Sequence, residues 1–281
     1  MKKYIKHIVL ISLILISVII LMHQKKDANK KSINIGYQSV TAQIWSAIII
    51  KNFKLIEECY QKEISISWMN FTSGPPITSN MISGKLDVGF MGDMPLLING
   101  DFSQKNQYYE STLILFDGKA ENGNNQDILV HNKSNIEKIE DLQGKKVSTP
   151  NSSSAHRYLI SELDKAGIEK SKVFISFQDL ATGIKLLEKG DVDAISVWEP
   201  YSEYLKNEGY KALPKNSNDS YLAGVVINSK IIMEEKEIYE ALVCAIEKSH
   251  KILQSPSKEV LEMLSKEWKV PQTLDTFSMC Y

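Results

Sequence analysis

Three short segments of the chain place hydroxyl groups and glycine where helices are expected to begin. They are Ser73-Gly74, Gly92-Asp93 and Ser152-Ser153-Ser154. Each follows a predicted strand, and the first turn of a helix exposes N–H groups and a partial positive charge that favour an anion. For any single segment, ordinary helix capping is the commoner explanation. Three such segments at one cleft would indicate a binding site for a small anion.

The third segment continues into His156 and Arg157, and Arg157 is the only arginine in the sequence. A guanidinium group matches a planar or tetrahedral oxyanion with two parallel hydrogen bonds, so Arg157 is a candidate ligand contact. The alternative is a solvated position on the face of a helix. Ser154 and His156 could also form a catalytic triad with a distant Asp, an alternative that we disfavour.

Aromatic and acidic side chains lie near the same predicted loops. Trp45 and Trp198 could form the apolar wall that an organic anion needs, although large aromatic residues more often belong to the core. Asp93 and Glu199 are unusual neighbours for an anion. They could bind a cationic group of the ligand, orient Arg157 or cap their own helices, and we favour capping.

Enzyme signatures are largely absent from the sequence. It contains no Gly-x-Ser-x-Gly, His-Glu-x-x-His or Gly-x-Gly-x-x-Gly motif and no phosphate loop ending in Gly-Lys-Ser/Thr. We therefore expect a binding protein without catalytic residues, metal or cofactor. Cys59, Cys244 and Cys280 fit neither a disulfide framework nor a metal-binding spacing, so we expect free thiols.

Two stretches of the chain repeat the same order of elements. Residues 84–95 and 190–200 each begin with a glycine after a predicted helix, continue into a short strand, and end in an acidic turn with proline. The repeat predicts two similar α/β lobes. Ligands of open α/β sheets lie beyond the carboxyl ends of the strands, so both acidic turns should face one cleft.

The order of predicted elements divides the chain into four parts. Residues 1–31 form an export signal or membrane anchor with a tether, residues 32–117 the first lobe, residues 118–222 the second lobe, and residues 223–281 a return to the first lobe. A helix is expected over residues 42–56, and hinge crossings near residues 117–126 and 221–224. The sequence ends within another predicted helix, which suggests a truncated C-terminus.

The first residues are typical of an exported protein. Lysines precede the apolar residues 8–22, which as a helix would span about 22 Å, short of the roughly 30 Å of a bilayer core. Both cleavage and retention as an anchor remain open. Removing residues 1–26 takes away five of the 33 basic residues and no acidic one, which leaves 28 basic and 34 acidic residues. This net charge of −6 argues against nucleic acid as a partner.

Four separated motifs resemble a known family. They are Ser73-Gly74-Pro75-Pro76, the run from Gly84 to Pro95, Asn151-Ser152-Ser153-Ser154-Ala155-His156, and the run from Asp191 to Tyr201. From about residue 32 onward the chain resembles the solute-binding proteins of ABC importers for aliphatic sulfonates, taurine and nitrate, with the alkanesulfonate branch nearest. The lipid-attachment cysteine of such proteins is missing, and the chain ends before the family's usual last helices.

The resemblance implies a type II periplasmic-binding-protein fold, with two α/β lobes closing on a ligand. By position, it implies a set of ligand-facing residues: Gln38, Ser73, Gly74, Gly92, Asp93, Ser153, Ser154, His156 and Trp198. Arg157 lies one residue beyond the family's Ser-Ala-His run.

Three functions are compatible with this pattern. The first is a monomeric receptor at the outer face of the cell membrane that binds a small anion, most simply an aliphatic sulfonate, and delivers it to an ABC permease and its ATPase. The second is a binding protein or enzyme for a thiamine pyrimidine on the same fold. The third is a membrane-tethered sensor domain, which requires residues 8–22 to be retained.

Overall fold

The computed structural model describes residues 31–121 and 124–268 and contains two five-stranded sheets. The first sheet has the order β2-β1-β3-β10-β4, and its strands are β1 (Lys31–Tyr37), β2 (Ile64–Asn70), β3 (Val88–Gly92), β4 (Ser111–Ala120) and β10 (Tyr221–Asn228). The second has the order β7-β6-β8-β5-β9, and its strands are β5 (Gln126–His131), β6 (Lys146–Thr149), β7 (Phe174–Phe177), β8 (Ala194–Trp198) and β9 (Tyr210–Ala212). Helices pack on these sheets, so the predicted α/β class with two lobes is correct.

Helices connect the strands in both lobes. Those before β10 are α1 (Ser46–Phe53), α2 (Leu55–Tyr60), α3 (Gly74–Ile82), α4 (Asp93–Lys105), α5 (Ser154–Lys165), α6 (Leu180–Lys189) and α7 (Tyr201–Asn207). Those after it are α8 (Ser229–Glu234), α9 (Lys236–Gln254) and α10 (Lys258–Trp268). Along α9 the buried residues recur every three or four positions, so one apolar face covers the core of the first lobe.

The repeated stretches form equivalent parts of the two sheets. Strands β3 and β8 are buried along their whole length, and each pairs in parallel with one neighbour and antiparallel with the other. The glycines before them, Gly84 and Gly190, have φ of 72° and 75°, a left-handed conformation that ends the preceding helix at little steric cost. The sequence repeat is therefore a structural repeat.

The helix predicted over residues 42–56 is interrupted in the structure. A 3-10 turn at Ala42–Ile44 precedes α1, and Lys54 adopts φ of 53° between α1 and α2. The prediction of one continuous helix was wrong because the apolar pattern continues across Lys54 and gives no sign of its left-handed conformation. The break turns the chain so that both helices pack on the core of the first lobe.

The prediction of free thiols was wrong for two of the three cysteines. Cys59 on α2 and Cys244 on α9 form a disulfide across 185 residues of chain. The two helices pack against each other in the first lobe, and this tertiary contact brings the sulfur atoms together. Cys280 lies outside the described residues.

Two crossovers join the lobes, each at a slightly different place from that expected. Strand β4 continues to Ala120, so the first crossover lies between Ala120 and Gln126. Residues 221–224 belong to β10, and the second crossover is the segment 213–220 before them. We therefore propose the same division into lobes, with these junctions. The expected export segment and the expected last helix lie outside the described residues, and within residues 31–121 and 124–268 no helix meets the length and hydropathy needed to cross a bilayer.

Candidate functional site

A cavity lies between the two lobes, beyond the carboxyl ends of the central strands. Both lobes contribute to its lining, which consists of Gln38, Thr41, Gly74, Pro95, Ser153, Ser154, Trp198 and Tyr221. Polar backbone, hydroxyl and amide groups stand beside two aromatic rings. None of the side chains in this set carries a formal charge at neutral pH.

The first lobe contributes an amide and the start of a helix. Gln38 follows β1, and its Nε2 donates to Oγ1 of Thr41 over 3.1 Å. Gly74 begins α3, with Ser73 as a half-buried cap residue whose side chain makes no capping hydrogen bond. A Cβ at position 74 would lie 2.4 Å from Cγ of Pro95 and 3.2 Å from Oε1 of Gln38. Glycine at this position therefore leaves the helix start open to the cavity.

The second lobe contributes the start of α5. The hydroxyl of Ser153 accepts the N–H of His156 over 3.2 Å and donates to the carbonyl of Pro150 over 2.6 Å. Ser154 follows it and hydrogen-bonds the hydroxyl of Tyr221. Burial raises the pKa of Tyr221, so its hydroxyl stays protonated and remains a donor or acceptor at neutral pH.

The lobes touch at Gly92, which precedes α4 and caps its first turn. A Cβ there would lie 2.5 Å from Oη of Tyr221 and 2.6 Å from Oγ of Ser154, closer than such atoms approach. On the other side of the cavity, Nε1 of Trp198 donates to the carbonyl of Val40 over 3.1 Å. Two contacts between the lobes therefore flank the cavity, and the cleft is closed.

Arg157 and Asp93 meet at the edge of the cleft rather than in the lining. A guanidinium nitrogen of Arg157 lies 2.9 Å from Oδ2 of Asp93, and the other terminal nitrogen lies 3.6 Å from Asp219. The second oxygen of Asp93 accepts the N–H of Met94 over 2.6 Å. Asp93 thus forms an ion pair with Arg157 between the lobes, a role that the sequence offered only as an alternative to the favoured helix capping.

His156 supports the loop before α5. Its Nδ1 accepts the N–H of Ser152 over 3.2 Å, and its ring packs edge-on against Phe177 with 4.9 Å between the centroids. Burial lowers the pKa of His156, which favours the neutral ring that this acceptor role requires. In this conformation the imidazole lies outside the cavity lining.

Glu199 and Trp45 also lie outside the lining. Oε2 of Glu199 accepts the N–H of Glu203 at the start of α7 over 3.0 Å, which is the capping role favoured from the sequence. Burial raises the pKa of Glu199, while Lys206 at 3.7 Å opposes that rise. Trp45 is fully buried in the core of the first lobe.

Three lining residues were not among the sequence candidates: Thr41, Pro95 and Tyr221. Pro95 belongs to the repeated turn, and Thr41 lies just before the helix expected over residues 42–56. Tyr221 lies in the crossover expected near residues 221–224, and that position was the available signal. Thr41 is hydrogen-bonded to Gln38 and Tyr221 to Ser154, which were both candidates, and Pro95 is the last residue of one motif.

Comparisons with known proteins agree with this architecture. The model of the family described as "NMT1/THI5 like" matches residues 119–259. The chain is 23% identical over 247 residues to a putative aliphatic sulfonates-binding protein of Escherichia coli K12, covering 87% of this chain and 74% of that protein. It is 30% identical over 145 residues to the taurine-binding periplasmic protein of the same organism, covering 52% of this chain and 42% of that protein.

A solved structure supports the fold. The alkanesulfonate-binding protein from Xanthomonas axonopodis pv. citri, bound to MOPS, superposes with a TM-score of 0.74 at 21% identity, over 88% of this chain and 82% of that one. This likeness confirms the periplasmic-binding-protein fold implied by the sequence resemblance. The curated relatives are named as binding proteins and not as enzymes, in agreement with the expected non-catalytic role.

Proposed function

The chain belongs to the NMT1/THI5-like family, and from this premise we propose that it is an extracytoplasmic solute-binding receptor of an ABC importer. Its ligand is a small organic anion, an aliphatic sulfonate. The observation that carries this proposal is the cavity between the lobes, to which each lobe brings the start of a helix, Gly74 in the first and Ser153 in the second.

Uncharged donors suit a sulfonate group. Its three oxygens can accept hydrogen bonds from the backbone N–H groups at the start of α5 and from the hydroxyls of Ser154 and Tyr221. The start of α3 adds the N–H of Gly74 alone, because Pro75 and Pro76 have none. The positive ends of the two helix dipoles favour the negative charge without a lysine or arginine in the lining. Because a sulfonate is ionised at every physiological pH, such a site needs no proton exchange to bind it.

The aromatic lining suits the carbon chain of the ligand. The rings of Trp198 and Tyr221 and the pyrrolidine of Pro95 offer apolar surface beside the polar helix starts. We propose that the alkyl group packs there while the sulfonate faces the helix starts. Gln38 lies on the first-lobe side and can donate a further hydrogen bond.

Delivery to the importer follows from the two-lobed design. The ligand touches both lobes only when the cleft is closed, so opening at the membrane permease would release it. We propose the permease and its ATPase as partners of a monomeric receptor. The Cys59–Cys244 disulfide supports an oxidising, extracytoplasmic location, since disulfides persist in such compartments.

A thiamine pyrimidine is the second candidate ligand, because Trp198 and Tyr221 could stack on a planar ring. The tethered-sensor alternative depends on residues 8–22, which lie outside the described residues.

Thermal unfolding of the purified protein with a panel of ligands tests the proposal. Ethanesulfonate, taurine, sulfate, nitrate and a thiamine pyrimidine are compared. A ligand at 100 times its dissociation constant stabilises the protein by about 2.7 kcal/mol, which raises the melting temperature visibly. A shift with the pyrimidine alone would favour the second candidate, and no shift with any compound would refute the ligand class.

Two serine variants locate the site. Ser154→Ala should weaken sulfonate binding by roughly tenfold to a hundredfold, because a lost hydrogen bond to a charged ligand costs about 1.5 to 3 kcal/mol. Ser152→Ala, two residues earlier and outside the lining, is the matched control and should bind as the unaltered protein does.

A further inference from the structure

One face of α5 is fastened along the second crossover. Arg157, Ser161, Glu162 and Lys165 recur at the spacing of this face, and all four bind the segment 216–220. The buried carboxylate of Glu162 accepts the N–H groups of Asn216 over 2.7 Å and Ser217 over 3.0 Å. The helix that presents Ser153 and Ser154 to the cavity is thus attached to the chain segment that leads back to the first lobe.

Asp219 is the centre of the charged contacts in this segment. Lys165 lies 2.8 Å from its carboxylate, Ser161 donates to it, and Arg157 lies 3.6 Å away. The hydrogen bonds from Lys165 and Ser161 hold the pKa of Asp219 below its usual range, so the carboxylate stays ionised. These bonds all form between α5 and the crossover, and none of them crosses the cleft.

Arg157 alone among the four residues on this face of α5 also reaches the first lobe. Its guanidinium lies 2.9 Å from Asp93, the first residue of α4, while a nitrogen of the same group donates to the carbonyl of Ser220 over 3.4 Å. The side chains of Arg157 and Asp93 are 24% and 14% exposed, so solvent screens this pair only in part. One side chain therefore connects the second lobe, the crossover and the first lobe.

We propose that Arg157 is a positioning residue that latches the cleft closed through Asp93, rather than a group that binds the ligand. Its positive charge is directed at two carboxylates, and it does not line the cavity. Because the pair with Asp93 requires the lobes to be in contact, it stabilises the closed form and not the open one. The latch acts with or without a solute in the cavity.

A latch has an unusual kinetic signature. A solute enters and leaves through the open form, and the latch stabilises the closed form equally with and without solute. Weakening the latch should therefore speed association and dissociation alike and leave the affinity nearly unchanged. A direct ligand contact behaves differently, since its loss raises the dissociation rate and leaves association unchanged or slower. The two roles of Arg157 can therefore be separated.

Small-angle scattering of the ligand-free, full-length protein in detergent tests the latch without any ligand. Asp93→Asn and Arg157→Gln should each increase the radius of gyration, with the ratio of closed to open molecules falling about fivefold. The double variant should open no further than either single one, because both remove the same pair. Lys165→Met removes a contact of Asp219 but none across the cleft, and this matched control should keep the original radius.

Stopped-flow binding of ethanesulfonate provides the second measurement. In Asp93→Asn, ethanesulfonate should associate and dissociate roughly fivefold faster than in the unaltered protein, with nearly the same affinity. A faster dissociation without faster association would instead indicate a direct ligand contact. An unchanged radius of gyration in Asp93→Asn would overturn the latch. If neither the unaltered protein nor its variants bind ethanesulfonate, the proposed ligand is wrong. The scattering experiment still tests the latch in that case, because it needs no ligand.

Discussion

The two sheets have equivalent strand orders, and the aspartates that precede β3 and β8 make the same hydrogen bonds in both lobes. Asp87 accepts the backbone N–H of Asn34 at 2.7 Å, and Asp193 accepts that of Lys146 at 2.8 Å. In each case the aspartate's own N–H returns a bond of 2.8 Å to the same residue. These reciprocal bonds set the register between the parallel strands, which explains why the acidic residue recurs in the repeat.

The acidic turns after these strands behave differently. Helix α4 begins at Asp93 itself, so one carboxylate oxygen accepts the adjacent N–H and the other faces Arg157 of the opposite lobe. Helix α7 begins two residues after Glu199, and the longer side chain turns back to the N–H of Glu203 in its own lobe. A shift of the helix start thus turns one acidic residue outward to the partner lobe and the other inward.

A second pair of aspartates flanks the first crossover, one in each lobe. Asp117 on β4 binds His250 at 2.7 Å and accepts a hydrogen bond from Ser46. Asp127 on β5 binds Lys206 at 2.8 Å and Lys215 at 3.0 Å. Both carboxylates are buried, but the first pairs with a histidine, whose ordinary pKa is about 6.5, and the second with two lysines, which are charged up to about pH 10. This difference predicts unequal responses to substitution and to pH.

Asp127→Ala should have the largest effect. Removing a buried carboxylate leaves its lysine partners without their counter-charge, and breaking such a pair typically costs about 3 to 5 kcal/mol. Urea unfolding, combined with hydrogen exchange in β5, would show the loss in the second lobe. Asp191→Asn, at an exposed position of the same lobe, is the control and should change little. Equal losses in the two variants would contradict the importance of the burial.

Loss of the Cys59–Cys244 disulfide should come next and affect the first lobe. A disulfide typically stabilises by about 2 to 4 kcal/mol, mainly by restricting the unfolded chain, and this one closes a loop across 185 residues. Cys59→Ser combined with Cys244→Ser should unfold at lower urea concentration, and reductant should lower the stability of the original protein alone. Ligand affinity should persist, because the bond lies between α2 and α9, away from the cavity. A reductant effect on the double variant would show that another thiol is responsible.

The smallest expected effect is a difference in pH dependence. The bond to Asp117 raises the pKa of His250 in the folded protein. The stabilisation by this pair is therefore complete below the pKa of the unfolded state, near 6.5, and is lost as the pH rises through the pKa of the folded state. For Asp127, burial favours the neutral form, but Lys206 and Lys215 outweigh it and lower the pKa. Its contribution is present above the unfolded pKa and is lost as pH falls through the folded one.

The free energy of unfolding, measured between pH 6 and 9, would give the contribution of the His250–Asp117 pair in the first lobe. We expect about 1 kcal/mol, because the histidine is partly exposed to solvent. His250→Gln should remove the decline, whereas His131→Gln in the second lobe should retain it. A decline that survives in His250→Gln would assign the pH dependence to another group.

The sequence predicted those parts of the fold that local chemistry determines. Gly84 and Gly190 end helices for a conformational reason visible in the residue type, and the buried strands after them are apolar throughout. The Cys59–Cys244 bond was missed because nothing near either cysteine reveals that α2 packs against α9. For Arg157 the sequence indicated the chemistry and not the partner, since Asp93 lies in the other lobe. Tyr221 was missed because a residue at a crossover can face either lobe.

The position of β10 in the first sheet determines the order in which the two sheets can be completed during synthesis. Strands β5 to β9 follow one another along the chain, so the second sheet has all its members once Ala212 has been synthesised. Among the described strands, β4 by contrast pairs with β10 alone, and β10 separates it from β3. The first sheet must therefore wait, with two exposed strand edges, until Asn228 has emerged during synthesis or export. The first lobe is thus started first and completed last. A chaperone that binds unpaired strand edges would be needed most before β10 has been synthesised.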